Sequence, residues 1–353
     1  MAGRHRATRA SNEEIIEPGD TTQFEPLAND GTFAGPGGCA TCGGPSGGGG
    51  CDPCDAPVSD GCGNCGWELF DGNCGGWLRG LTVFVGGDAF KGPLDHGTRT
   101  RTSENFGNNG NFGLNEGLNL AAPLGDPWNF GYQIGANFVQ SNFSGAPLVT
   151  VDNHDVLPAD RHQTFLTAGL FRRALCGGLQ GGVAFDYLRD DYYEQADVQQ
   201  LRSETAWVID DKYEIGYYGA YGVGTARTWD GKLDPTDMFI LFARCNFETG
   251  GDGRIWGGAT GNGDALVGAD VWVPLGKGFA LENRINYLIP KVDRGESAQP
   301  HESWGLTIQL VWYPGQNALC QHQNQYRAMF NVADNSLFMV NRLTNPRPTA
   351  PQQ

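Results

Sequence analysis

The chain is poor in charge and in histidine, and it has no long apolar run. Only 18% of its 353 residues are charged, and acids outnumber bases by 40 to 24, for a formal net charge of -16. That balance excludes nucleic acid as a partner, because phosphate binding needs clustered Lys and Arg. No stretch approaches the roughly 18 to 20 uninterrupted apolar residues of a membrane-spanning helix, which excludes a helical membrane protein. Catalytic signatures are missing too. There is no HExxH and no P-loop, and His96, His154, His162, His301 and His322 are scattered, mostly in loops. No enzymatic activity is expected. The N-terminus, MAGRHRATRA, lacks the apolar core of a secretory leader, so an exported protein would have lost its leader from this sequence.

Glycine is what the chain has in excess, at 54 residues, about twice the usual share of roughly 7%. Together with the aromatic and β-branched residues it favours strands and tight turns over helices. Residues 1–76 are polar, Gly-rich and Cys-rich without sustained periodicity and read as an extension. From Trp77 to Tyr313 the chain alternates apolar and polar residues in short runs broken by Gly, Pro, Asn and Asp. Residues 314–353 follow as a tail. Leu337 to Val340 in that tail would add a strand, plug the lumen or dock in the periplasm, and the sequence leaves all three open.

The run from Trp128 to Asn142 sets Trp128, Phe130, Tyr132, Ile134, Ala136 and Phe138 against Asn129, Gly131, Gln133, Gly135 and Asn137. A period of two places these sets on opposite faces. The same pattern puts Asn115 and Asn119 opposite Leu114 and Leu118, and Gln309 opposite Ile308 and Leu310. One face is greasy and the other small or amide-bearing, which fits lipid outside and a lumen inside better than a soluble sandwich. Short breaks at 123–127, 176–178, 210–212, 248–253 and 274–278 alternate with longer ones at 91–110, 144–160, 191–198, 227–235 and 290–302, with a tight exception at 261–263. Short periplasmic turns and long external loops are characteristic of outer-membrane barrels.

The expected fold is therefore all-β, a closed antiparallel transmembrane barrel of about twelve strands. They fall near 77–90, 110–122, 128–143, 161–175, 179–190, 198–209, 213–226, 236–247, 254–260, 264–274, 279–289 and 302–313. The segment 236–247 is unusual in being apolar on both parities. Trp77, Trp128, Tyr187, Trp304, Trp312 and Tyr313 lie near strand ends, where aromatic girdles meet the membrane interfaces.

The stretches GWLRGLTVFVGGDAFKGPLD (76–95), NGNFGLNEGLNLAAPLGDPW (109–128), RIWGGATGNGDALVGADVWVPLG (254–276), ESWGLTIQLVWYPGQNA (302–318) and FNVADNSLFMV (330–340) resemble an uncharacterised family of planctomycete proteins of unknown function, regarded as outer-membrane barrels. The resemblance implies a barrel in the envelope and carries over no catalytic residue.

Inside the expected lumen, Asp270 shares a face with Glu282 and Arg284 of the next strand. A turn centred on Gly276 sets Asp270 opposite Glu282, with Arg284 one diagonal step away. Asp186 and Glu214 have inward parity as well. Such a cluster either constricts a pore and selects solutes by charge or neutralises itself within a narrow barrel.

Cys39, Cys42, Cys51, Cys54, Cys62 and Cys65 form three CxxC pairs, with Cys74 close behind. The spacing suits a zinc site, but in an exported protein disulfides to each other or to other envelope proteins are favoured. Acidic residues in the long breaks, among them Asp95, Glu104, Asp152, Asp155, Asp190, Asp191, Glu194 and Asp197, offer carboxylates to Ca²⁺ or simply a solvated surface; no cofactor is expected. The leading function is a porin-like channel for small hydrophilic solutes, in contact with outer-membrane lipid. The alternatives are a structural envelope protein, as a homo-oligomer or a disulfide-linked lattice, and a secreted soluble β-sandwich or lipocalin-like binder.

Overall fold

In the computed structural model, twelve strands close into one antiparallel barrel. The structure describes most of residues 78–343; residues 1–77 and 344–353 lie outside it, as do 93–109, 142–148, 157–160, 292–301 and a few shorter turn segments. The wall strands are β1 (Leu81–Lys91), β2 (Asn111–Pro123), β3 (Gly131–Ser141), β4 (Arg161–Arg172), β5 (Gly178–Asp191), β6 (Gln195–Ile209), β7 (Tyr213–Gly224), β8 (Met238–Asn246), β9 (Asp252–Thr260), β10 (Ala265–Gly276), β11 (Phe279–Ile289) and β12 (Ser303–Trp312). Each pairs with its neighbours in sequence, and β1 pairs with β12 to seal the ring. Closure leaves no sheet edge to satisfy, which a barrel in lipid requires.

The strands follow the expected segments closely, because alternation over nine or more residues leaves little freedom of register. Three connections differ. The expected loop 144–160 carries two short paired strands, Val149–Val151 and His154–Val156. The expected loop 191–198 shrinks to 192–194, since β5 and β6 pair out to Asp191 and Gln195. The span 227–235 contains two short strands, Ala226–Thr228 and Gly231–Pro235. Five connections, between β2 and β3, β4 and β5, β6 and β7, β8 and β9, and β10 and β11, lie at what we call the turn end; the other connections lie at the loop end.

Burial alternates along most of the wall. In β12, Ser303, Gly305, Thr307, Gln309 and Val311 are buried, while Leu306, Ile308, Leu310 and Trp312 are exposed. The outer surface carries Leu114, Leu118, Ile134, Leu166, Val183, Ile215, Leu241, Ile255, Ile285 and Ile308, all exposed. Soluble monomers seldom expose contiguous apolar patches beyond a few hundred Å², and this band runs around the ring. Lipid is the solvent that matches it.

The segment that was apolar on both parities is β8. Phe239 and Leu241 face outward, whereas Met238, Ile240 and Phe242 are buried in an interior cluster with Leu337 and Met339. One face meets lipid and the other meets the end of the chain.

Candidate functional site

The lumen is occupied by the protein's own C-terminal segment. After β12, Tyr313 turns inward rather than joining a girdle: it is buried, and its hydroxyl accepts from Trp272 Nε1 at 3.0 Å. A 3-10 helix follows at Ala318–Gln323. The chain then runs from Arg327 up the interior to Val340–Leu343, which pairs with Gly231–Pro235 at the loop end. It thus crosses from one end of the barrel to the other.

Apolar clusters anchor each stage of the crossing. Phe330 packs with Ala121, Phe171 and Ala184, and Val332 with Phe84, Trp272 and Val311. Phe338 and Val340 pack with Phe90, Val139, Phe165, Leu188 and Val198. Glycine makes room at the tightest point: a Cβ on Gly135 would stand 2.5 Å from Val332 Cγ2. Each buried side chain of this kind contributes roughly 1.5–3 kcal/mol, which no polar contact in the lumen is required to supply.

The structure places Asn115, Asn119, Gln133, Asn137, Asp186, Glu214, Arg284 and Gln309 on the inner face, all buried, with Asp270 and Glu282 beside them. Several read the backbone of the crossing segment. Gln133 donates to Phe330 O at 2.7 Å and accepts from Phe330 N at 2.9 Å, while Asn119 donates to the same carbonyl. Asn137 donates to Ala333 O, Asn286 to Ser336 O and Gln200 to Leu337 O. These groups do not line an open pore.

The carboxylates and guanidiniums form networks on the opposite half of the wall. Arg244 pairs with Glu214 at 2.8 Å, Arg254 with Asp270 at 2.8 Å and with Glu204 at 3.3 Å, and Arg202 with Asp186 at 2.5 Å. Arg284 bridges Glu282 at 2.7 Å and Asp334 of the crossing segment. Arg327 of that segment reaches Asp252 at 3.1 Å and lies over the Trp272 ring. Buried charges of this kind persist only when paired, and here the pairing is partly supplied by the tail.

The expected register was off by one step. Asp270 stands opposite Arg284, and Glu282 opposite Trp272, because a bulge between Pro274 and Gly276, with Gly276 at φ 119°, shifts the turn. Sequence reasoning missed Arg202, Glu204, Arg244, Asp252 and Arg254, although parity along their strands would have found them. It also treated Asp190 as a loop acid. That residue is buried at the end of β5 and holds Arg161 through two hydrogen bonds.

Of the proposed girdle, Trp128 and Trp312 are exposed at the turn end, and Trp312 stacks on Phe279. Tyr187 and Trp304 have outward parity near the loop end, and Tyr187 donates to Asp197 at 2.6 Å. Trp77 and Cys39, Cys42, Cys51, Cys54, Cys62, Cys65 and Cys74 lie outside the described residues, as do Asp95, Glu104, Asp152 and Glu194. Cys245, at the turn end of β8, is a free thiol.

The barrel and its filled lumen define an all-β, self-plugged barrel protein. The chain belongs to a family of unknown function, DUF6666, which it matches over residues 80–340 and therefore through both the wall and the crossing segment. No curated protein matches. Among solved structures it is similar to the outer membrane phospholipase A of Escherichia coli, with 11% identity, a TM-score of 0.36, and coverage of 65% of this chain and 92% of that one. It is also similar to the toluene transporter TbuX of Ralstonia pickettii, with 9% identity, a TM-score of 0.36, and coverage of 67% and 90%. For the anion-selective porin of Comamonas acidovorans the values are 10%, 0.28, 66% and 98%. Likenesses this distant carry no argument about activity.

Proposed function

We propose that the protein is an outer-membrane barrel that its own C-terminal segment keeps closed, and that it serves the cell envelope as a structural anchor rather than as a standing pore. The observation that carries this reading is the continuous crossing from Tyr313 to Val340, held by apolar packing, backbone hydrogen bonds and ion pairs along the way. At the loop end a small cleft remains between Phe90, Arg161, Asp190, Trp304 and Phe338.

The apolar outer band favours lipid, and the outer membrane is the bilayer that closed β-barrels occupy. Porin-like passage of solutes belongs to this reading only if the segment leaves the lumen, and no catalytic step forms part of it. The extension before β1 would then be held at the membrane surface, where its cysteines suit disulfides to envelope partners.

The intact chain, reconstituted in planar bilayers, is expected to give no steady conductance. Stable channels from the intact chain would overturn the closed-barrel reading. Cell fractionation should place it with outer-membrane markers, and non-reducing gels should show larger species that collapse with reductant.

A further inference from the structure

The lipid-facing surface of the barrel carries two polar places at mid-depth. Glu116 is exposed on the outer face of β2, between Leu114 and Leu118 on its own strand and opposite Val85 and Phe138 on its neighbours, four residues that are themselves exposed. Other outward charged side chains of the described wall, Arg172, Arg189, Asp191 and Asp197, sit within two residues of a strand end, where water or headgroups reach them. Glu116 is five residues from one end of its strand and seven from the other. A carboxylate there faces hydrocarbon, an expensive place for a charge that marks a functional contact by default.

The second place lies on β6 and β7. Tyr217 and Tyr221 point outward on either side of Gly219, and their hydroxyls meet at 2.8 Å. One hydroxyl donates to the other, which leaves the second with its O–H still to give. Ser203 and Thr205, opposite Gly219 and Tyr217, continue the polar patch on β6. Gly219 falls six residues from Tyr213 and five from Gly224, about the same depth as Glu116.

We infer that these two places are the halves of one lateral contact between copies of this chain, with Glu116 of one copy accepting from the Tyr217 and Tyr221 hydroxyls of the next. Complementarity selects a second copy as the occupant: one place offers only acceptor oxygens, the other a spare donor, and both stand at the same height in the same membrane. Satisfying each from a neighbour removes a polar group from lipid twice. Three strands separate β2 from β6 around the ring, so the two halves face different directions. The contact is therefore heterologous and propagates into a large ring or a row. This deepens the structural reading above, since a closed barrel that associates side by side builds an array.

The test uses the full chain in nanodiscs or mild detergent with reductant present, so that disulfides do not hold copies together, and reads mass by native mass spectrometry or sedimentation. The wild type is expected to form assemblies larger than a dimer. Glu116→Leu should weaken association at least tenfold, and so should the paired change Tyr217→Phe with Tyr221→Phe. All three together should do no more than either alone, because they remove the same contact. Heat-modifiable gel mobility checks that each barrel is folded, and a leucine on the lipid face does not endanger that.

A wild type that is monomeric under these conditions would overturn the proposal, as would Glu116→Leu assembling like the wild type. So would loss of assembly with Glu116→Leu but not with the tyrosine changes. Conductance reports on the plug and mass on the contact, so either can fail without the other.

Discussion

The two halves of the inner wall hold the crossing segment by different means. On β2 and β3 the grip is made by neutral amides, Asn119, Gln133 and Asn137, which bond to carbonyls and an N–H of the segment's backbone. From β5 round to β11 two amides, Gln200 and Asn286, make backbone bonds of the same kind, but the wall there is mainly a chain of ion pairs, into which the segment inserts Asp334 and Arg327. The first half recognises a path of backbone and tolerates many side chains along it. The second depends on two particular charges and is left with uncompensated groups if they go. Specificity for this segment therefore lies on the charged half, and the amide half supplies a slot.

Breaking the charged half should have the largest effect. Arg284→Ala strands both Asp334 and Glu282 in a buried site, and removing one partner of such a pair costs about 3–5 kcal/mol. Denaturant unfolding of the refolded barrel should register that loss, and the bilayer assay should detect openings that the wild type lacks. Replacing Arg284 by Met together with Glu282 by Gln and Asp334 by Asn should recover part of the stability, because no buried charge is then left unpaired and the amide at position 334 still offers an oxygen to the N–H groups of Ser336 and Leu337. If the triple variant is as unstable as the single one, charge is not what distinguishes this half.

A smaller effect is expected from the amide half. Gln133→Leu leaves the N–H of Phe330 without its side-chain partner and its C=O with Asn119 alone, at about 1–3 kcal/mol. Asn137→Ala removes one bond to Ala333 and should cost about 1 kcal/mol. Both should show little dependence on which residue occupies position 330 or 333 when apolar groups of similar size are exchanged there. A strong dependence would mean that the slot reads side chains after all.

The wall was legible because its information is local. Alternation fixed which residues of β2, β3, β11 and β12 face inward, and the expected span 279–289 coincides with Phe279–Ile289. Even the inward parity of Asp270, Glu282 and Arg284 could be read, although the pairing among them depended on a left-handed glycine that no pattern announces. The crossing segment was harder, because its partners are remote: Phe330 bonds to a glutamine 197 positions earlier. It forms no regular element between Gln323 and Val340, so no periodicity marks it. The one signal was indirect. A barrel strand that is apolar on both faces, as β8 is, must have something apolar inside, and Leu337 and Met339 are that something.

The segment that fills the barrel follows the strand that closes it, and this sets an expected order of assembly. Until β12 zips to β1 the wall is an open sheet whose inner face exposes Phe84, Phe165, Phe242 and the ion-pair network. A chain carrying Phe330 and Phe338 is more easily laid across an open sheet than threaded through a closed ring. The segment should then act as the mandrel on which the wall is wound, with the seam between β1 and β12 as the final step. In pulse-labelled refolding, protection at the amide of Phe330 should appear before protection along the β1–β12 ladder; the reverse order would mean that the ring closes first and is filled afterwards. On this course, a chain truncated after β12 would lack the core around which its strands converge, and the tail would govern the yield of barrels as well as their permeability.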